Sequence, residues 1–146
     1  MTIRARGPVS GTIPVMTERV PAIKVLLLPK DTNALGTIFG GVILSHIDLA
    51  SAVEARKTAA HRYVTKAIRE VEFHAPVLVG DIVNFYTETR RVGRTSITVG
   101  VRVEVERWGA GHGERETVTE AEVVLVAIGD DRRPMPIAPA GAEAGR

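Results

Sequence analysis

The sequence predicts an α+β domain in which one long helix packs on a single antiparallel sheet of five strands. Three observations lead there. From Thr95 to Arg107, Ile97, Val99, Val101, Val103 and Val105 alternate with Thr98, Gly100, Arg102, Glu104 and Glu106, the period of a strand with one buried face. Gly41 to Thr58 is apolar-rich without that alternation and long enough for a helix. The links between the strands after it are short, which favours antiparallel neighbours. Such a sheet must bury one face against the helix.

Each element follows in chain order. Residues 1–18 hold Gly7, Pro8, Gly11 and Pro14 with few large apolar side chains and read as a flexible arm. The folded domain is expected over 19–130. Ile23 to Leu28, ended by Pro29, reads as a strand. A polar turn at Asp31 and Asn33 and a Gly40–Gly41 corner lead into the helix. Its apolar residues fall on nearly all sides, so neighbours are expected to enclose it. Tyr63 to Phe73 is a strand bounded by Pro76 and the Gly80–Asp81 turn, and Ile82 to Arg91 is the next, turning at Gly93. Trp108 to Gly113 reads as a hairpin loop, and Thr117 to Ile128 as the last, β-branched strand. Residues 131–146 are rich in Pro, Ala and Gly and read as a flexible tail. A five-stranded sheet leaves edges, and dimerisation is one way to cover them.

Composition narrows the function. The chain has 146 residues, enough for one domain with its own core, and its 45% hydrophobic and 25% charged content is that of a globular protein. Nineteen Lys and Arg against seventeen Asp and Glu leave a net charge of only +2, and aromatics make up 4%. Neither a nucleic acid nor a membrane is an expected partner. The absence of cysteine excludes disulfides, thiolate chemistry and Cys-based zinc sites. His61, His74 and His112 make no metal spacing, so no metal is expected. The opening MTIRARGPVSGT lacks the apolar core of a signal peptide and no run approaches a spanning helix, which makes a cytoplasmic location the default.

The stretch Asp31 to Glu54 carries the chemistry. Asp48 sits among Ile43, Leu44, Ile47, Leu49 and Val53, and a buried carboxylate is costly unless it is paired or useful. A helix N-terminus with free backbone N–H groups lies a turn or two upstream. A polarising donor beside a desolvated carboxylate is the outline of a hydrolytic site for a carbonyl compound. His46 lies about 200° round the helix from Asp48 and reads as structural. Ser45 and Ser51, three residues either side, are within reach of the carboxylate.

The motif D-x-N-x-x-G-x-I-F-G-G, here Asp31, Asn33, Gly36, Ile38, Phe39, Gly40 and Gly41, is followed by Ile47–Asp48. Phe73-His-Ala-Pro76, Val79-Gly80-Asp81, Gly93-Arg-Thr-Ser96 and Val118-Thr-Glu-Ala121 come after it in order. Together these resemble the short bacterial acyl-CoA thioesterases of the hotdog fold, over about residues 20 to 130. The chain departs from that pattern at Thr37, where relatives often have Asp or Asn, and at Ala75, where many have Arg.

The resemblance implies a helix wrapped by a curved antiparallel sheet, in a homodimer whose sheets join edge to edge, with further assembly to a hexamer in some members. It implies hydrolysis of an acyl-CoA to a free acid and coenzyme A. No cofactor is implied, coenzyme A being part of substrate and product. Asp48 and Asn33 would be the catalytic pair, contributed by different subunits. Asp48 would act as general base or as nucleophile; the plainer alternative is a carboxylate bonded to nearby backbone. Asn33 would donate to the thioester oxygen or hold the water, or else simply close its turn. Gly40 would let the thioester approach and the Gly41 N–H would polarise it, or the pair is only a tight corner. Arg91 and Arg94, beside Arg90 and with Thr95 and Ser96, would suit the phosphates of coenzyme A, or are ordinary surface charge. Lys66 and Arg69 are weaker candidates of the same kind. The rival functions are an enoyl-CoA hydratase or dehydratase and a non-catalytic acyl-CoA binding module.

Overall fold

The computed structural model describes residues 19–109 and 114–138. The expected arm at 1–18, His112 with most of its hairpin loop, and residues 139–146 lie outside the described residues. The elements are β1 (Ile23–Leu26), α1 (Gly40–Thr58), β2 (Arg62–Phe73), β3 (Ile82–Val92), β4 (Ser96–Glu106) and β5 (Glu116–Ile128), with a 3-10 turn at Pro29–Asp31. β1 ends before Leu28, because the chain must leave the ladder to enter that turn, where the Asp31 N–H donates to the Leu28 carbonyl at 2.9 Å. The sheet order is β1-β3-β4-β5-β2, antiparallel throughout. The sheet curls round α1, which touches β2, β3, β4 and β5. This is the hotdog arrangement that the resemblance implies.

The alternation in β4 survives intact. Ile97, Val99, Val101, Val103 and Val105 are buried beneath the helix with Val83 and Phe85 of β3 and Val123 and Leu125 of β5. From α1 come Ile43, Ile47, Ala50 and Ala55. Each buried Ile or Phe contributes about 2–3 kcal/mol over an exposed one. The other face of β4 is laced with ion pairs. Glu104, only 8% exposed, accepts from Arg19 at 2.8 Å, and the Arg90 guanidinium lies across Gly100. The Gly80–Asp81 turn is pinned by buried Asp81, which accepts from the Leu78 N–H at 2.9 Å and from Arg107 at 3.2 Å.

Two expectations need correcting. The helix is not enclosed: only the stripe Ile43, Ile47, Ala50, Ser51 and Ala55 is buried, while Leu49 is 59% and Val53 48% exposed. The sheet of one chain wraps a single side of α1, so the apolar residues of the other side stay uncovered. Residues 131–138, expected as part of a flexible tail, are instead docked. The Met135 N–H donates to the Ala127 carbonyl, and Ile137 is buried with its N–H on the Arg94 carbonyl, each at 2.9 Å.

Candidate active site

Asn33 sits in a small loop closed by pairing between Thr32 and Ile38. Its main chain makes two further bonds, from its N–H to the Thr37 carbonyl at 2.8 Å and from the Gly36 N–H to its own carbonyl at 3.1 Å. Gly36 takes a φ of 82° at the tip, where a side chain would be strained. The Asn33 side chain is also used within the loop. Its Oδ1 accepts the N–H groups of Leu35 (2.9 Å) and Thr37 (3.3 Å), and its Nδ2 donates to Thr37 Oγ1 at 2.9 Å. That arrangement fixes the amide plane and leaves the second N–H of Nδ2 to point elsewhere. Thr37, a departure from the family pattern, is therefore the residue that orients Asn33.

The loop feeds α1 through Phe39, which has extended backbone and provides no side-chain cap. The Val42 N–H donates to the Phe39 carbonyl at 3.0 Å, and the N–H groups of Gly40 and Gly41 ahead of it receive no side-chain cap. Neither Gly40 nor Gly41 has positive φ. The Phe39 ring folds onto Gly41, where a Cβ would come within 3.1 Å of its Cζ, whereas a Cβ at Gly40 would make only ordinary contact with Phe73 at 3.4 Å.

Asp48 lies two turns further along. It is half-buried, not sealed from water, and its Oδ1 accepts from the Thr65 hydroxyl of β2 in a short contact. Ser45 and Ser51 do not serve it: Ser45 Oγ donates to the Val42 carbonyl at 2.8 Å and Ser51 Oγ to the Asp48 carbonyl at 2.7 Å. His46 stacks on Phe85 with ring centroids 5.5 Å apart and bonds the Val42 carbonyl through Nδ1, a structural role as expected.

Gly41 and Asp48 are seven residues apart and share one flank of α1, about 10 Å apart along the axis. One carbonyl cannot meet both, since hydrogen bonds act at about 3 Å. No hydrogen bond among the described residues joins Asn33 to Asp48. A single chain therefore holds the parts of the site without bringing them together. Exposed apolar side chains surround these parts: Phe39, Leu49, Val53, Val64 and Phe73. Beside them runs β2, an edge strand that pairs only with β5 among the described residues.

The expected phosphate contacts are at the other end of the protomer. Arg91, Arg94, Thr95 and Ser96 form the β3–β4 turn, which meets the C-terminal end of α1: Thr89 and Thr58 hydroxyls bond at 2.7 Å. Arg91 and Arg94 are exposed, whereas Arg90 is engaged by Glu88 at 3.5 Å and Glu122 at 3.2 Å. The Thr95 carbonyl accepts from Ala127 and that of Ser96 from Gly93, at 2.8 and 2.7 Å, so the main chain of these two residues closes the hairpin. Lys66 and Arg69 are exposed on β2, at or beside its two bulges.

The pattern of the thioesterase superfamily matches residues 35–107, half of the sequence, including both Gly41 and Asp48. A curated relative described as an uncharacterized acyl-CoA thioester hydrolase of Zymomonas mobilis is 39% identical over 86% of this chain and 83% of its own length. The chain belongs to the thioesterase superfamily. Solved thioesterases share its architecture. A hexameric hotdog fold thioesterase of Campylobacter jejuni is 41% identical, with a TM-score of 0.77 over 83% of this chain and 92% of its own. The hexameric broad specificity acyl-coenzyme A thioesterase HI0827, as a variant with alanine in place of one aspartate, is 36% identical with a TM-score of 0.78, over 86% and 91% of the two chains.

Sequence reasoning noted Thr37 only as a departure from the pattern, without its bond to Asn33, and missed Thr65. Thr37 was four residues from Asn33, inside the same motif, and loop closure is the signal that could have found it. Thr65 is seventeen residues from Asp48 on a different element. Only the docking of α1 against β2 brings the two together.

Proposed function

We propose that this thioesterase hydrolyses acyl-CoA to a free carboxylic acid and coenzyme A, at a site built from two copies of the chain. The observation that carries the reading is the uncovered flank of α1, where Asp48, held by Thr65, and the uncapped Gly41 lie in a row bordered by apolar surface. A second copy placed antiparallel across the β2 edge would bring its own Gly41 and Asn33 opposite this Asp48 and cover Leu49, Val53 and Val64. The hexameric state of the two solved relatives supports assembly.

In this arrangement the thioester carbonyl enters at the N-terminal end of one helix, where the Gly41 N–H and the spare Asn33 N–H polarise it. Gly40 lets the acyl group lie close to the backbone. Asp48 of the other copy activates water as general base or attacks the carbonyl carbon directly. The thiolate of coenzyme A leaves in either route. Arg91 and Arg94 add positive potential at the protomer end from which a polyphosphate would approach. His46 is turned onto Phe85 and the Val42 carbonyl, away from the Asp–His pairing that a hydratase would use.

The test is release of free thiol from a panel of acyl-CoAs, from acetyl to palmitoyl, by the wild type and Asp48→Ala. Turnover by the wild type and none by a folded, oligomeric variant is the expected result. A variant that cleaves acyl-CoA at a near-normal rate removes Asp48 from the mechanism. Oxygen-18 incorporation into the protein in a single turnover distinguishes attack by Asp48 from activation of water.

A further inference from the structure

His74 takes no part in the chemistry proposed above, yet its neighbours tie it to the entry of α1. We propose that His74 is a positioning residue: its imidazolium bridges Glu72 and Glu120 and so holds Phe73 against Gly40, beside the point where the thioester enters. The kinetic consequence of that bridge rests on the acyl-CoA reading.

The end of β2 needs such a tie. The strand slips its register with β5 between Arg69 and Glu72, and Glu70 takes a φ of 51°, a left-handed conformation that is costly for a residue with a side chain. Beyond this break only Glu72 and Phe73 pair with β5, opposite Glu120 and Thr119. The first of these pairs sets two carboxylates directly across from one another, an unfavourable match. The His74 ring lies between them, with Nε2 3.0 Å from Glu120 Oε2 and Nδ1 3.8 Å from Glu72 Oε2. A carboxylate only accepts, so a neutral imidazole with one N–H serves one of the two, whereas the imidazolium serves both. Arg102 of β4 reaches the same Glu120 at 3.2 Å. Among the described residues, Glu72, Glu120 and Arg102 are the charged groups of this cluster. The hydrogen bond from His74, and then Arg102, hold the Glu120 carboxyl below its ordinary value of 4.5.

The tie reaches the site through the backbone. The N–H groups of His74 and Ala75 both donate to the Val118 carbonyl, at 2.8 and 3.3 Å. Phe73 comes immediately before them, and its ring lies 3.4 Å from where a Cβ on Gly40 would stand. That ring is 52% exposed, so it forms a wall of the open flank and not part of the core. Gly40 begins the turn whose Gly41 N–H is proposed to polarise the carbonyl. As pH rises and the imidazole gives up its second proton, Glu72 and Glu120 repel one another. The end of β2 then loosens, and the wall beside Gly40 loosens with it.

The experiment measures kcat/KM on one acyl-CoA from about pH 5 to 8, the range in which imidazole changes charge. The proteins are the wild type, His74→Gln and His74→Arg, and the ratio of each variant to the wild type cancels every other titration. His74→Gln, neutral throughout, is expected to run about threefold below the wild type at the acid end, the scale of one exposed ion contact, and to meet it at the alkaline end. His74→Arg, charged throughout, should match the wild type at the acid end and exceed it about threefold at the alkaline end. Ratios independent of pH would overturn the proposal, because a merely structural His74 lowers activity equally at every pH. In a Phe73→Leu background the pH-dependent ratio should vanish, and its persistence would refute Phe73 as the link. Hydrogen exchange of the amides at 74 and 75 gives a readout that does not depend on turnover. Corrected for base catalysis, their protection should fall about threefold across the same range in the wild type and stay level in His74→Arg. Level protection in the wild type refutes the bridge. A wild type that cleaves no acyl-CoA refutes the acyl-CoA reading alone, and the exchange result then decides on the bridge.

Discussion

The two sides of α1 are built on opposite terms. Toward β3, β4 and β5, a stripe of Ile43, Ile47 and Ala50 meets Phe85, Val99, Val101 and Val103, and every one of these side chains is buried within one chain. Toward β2, the helix shows Leu49, Val53 and Asp48, and the strand shows Val64 and Thr65 beside an edge that is unpaired among the described residues. The first side is finished and inert. The second is unfinished, and all the proposed chemistry lies on it. On the proposed chemistry, the difference teaches that stability and catalysis are separated across a single helix, so that residues two positions apart such as His46 and Asp48 would serve different ends.

Substitutions at five positions can break or sharpen that separation. The largest effect is expected from Asp48→Ala, a fall in kcat/KM of about a thousandfold, the scale of a lost general base, with a melting temperature near that of the wild type. A parallel collapse in stability would show that the open side also holds the fold together. On the closed side, Phe85→Ala should cost about 3–5 kcal/mol in denaturant unfolding by leaving a cavity under His46. A loss of activity without that destabilisation would contradict the division.

Leu49→Arg sharpens it from the other direction. Light scattering should show a smaller particle and the thiol assay little activity, while circular dichroism keeps its native shape, because an exposed site carries only about 0.5 kcal/mol of protomer stability. An intact oligomer would mean that this face is not the contact. Thr65→Val should lower kcat about tenfold by freeing the Asp48 carboxylate, with Thr65→Ser restoring most of it; equal rates in both would reduce the Thr65 contact to packing.

The smallest effect belongs to the outer face of the sheet. The Asn84 amide, donating to Glu106 at 3.1 Å, and nearby Lys24 hold the Glu106 carboxyl below its ordinary value of 4.5. A depressed carboxyl contributes stability above its unfolded value and loses it as pH falls through the folded one. Glu106→Gln should therefore melt slightly below wild type at neutral pH. The gap should close as pH falls below the ordinary carboxyl value and through the lower folded one. A gap independent of pH would point to packing rather than charge.

Much of this was legible in the order of residues. The period of two in β4 and the short hairpin links give the antiparallel ladder, because alternation and loop length are local properties. The motif from Asp31 to Asp48 is also local, and the family pattern runs through it from residue 35 to 107. What was not legible depended on packing at a distance. The apolar residues on every side of α1 gave no sign of which would be left uncovered, since that depends on how far one sheet wraps. The tail from 131 to 138 has a loop composition, yet Ile137 finds a socket between Arg94 and His61.

By itself, then, the sequence determined the five strands, the helix and the motif that carries the carboxylate, amide and glycine proposed to meet a thioester. Only the tertiary structure decided that Gly41 and Asp48 of one chain stand about 10 Å apart along a rigid helix, too far to share a carbonyl. It also decided that Thr65, seventeen residues from Asp48, holds that carboxylate. The physical reason is that periodicity specifies which face a residue takes, while the distance between faces is set by how separate elements pack.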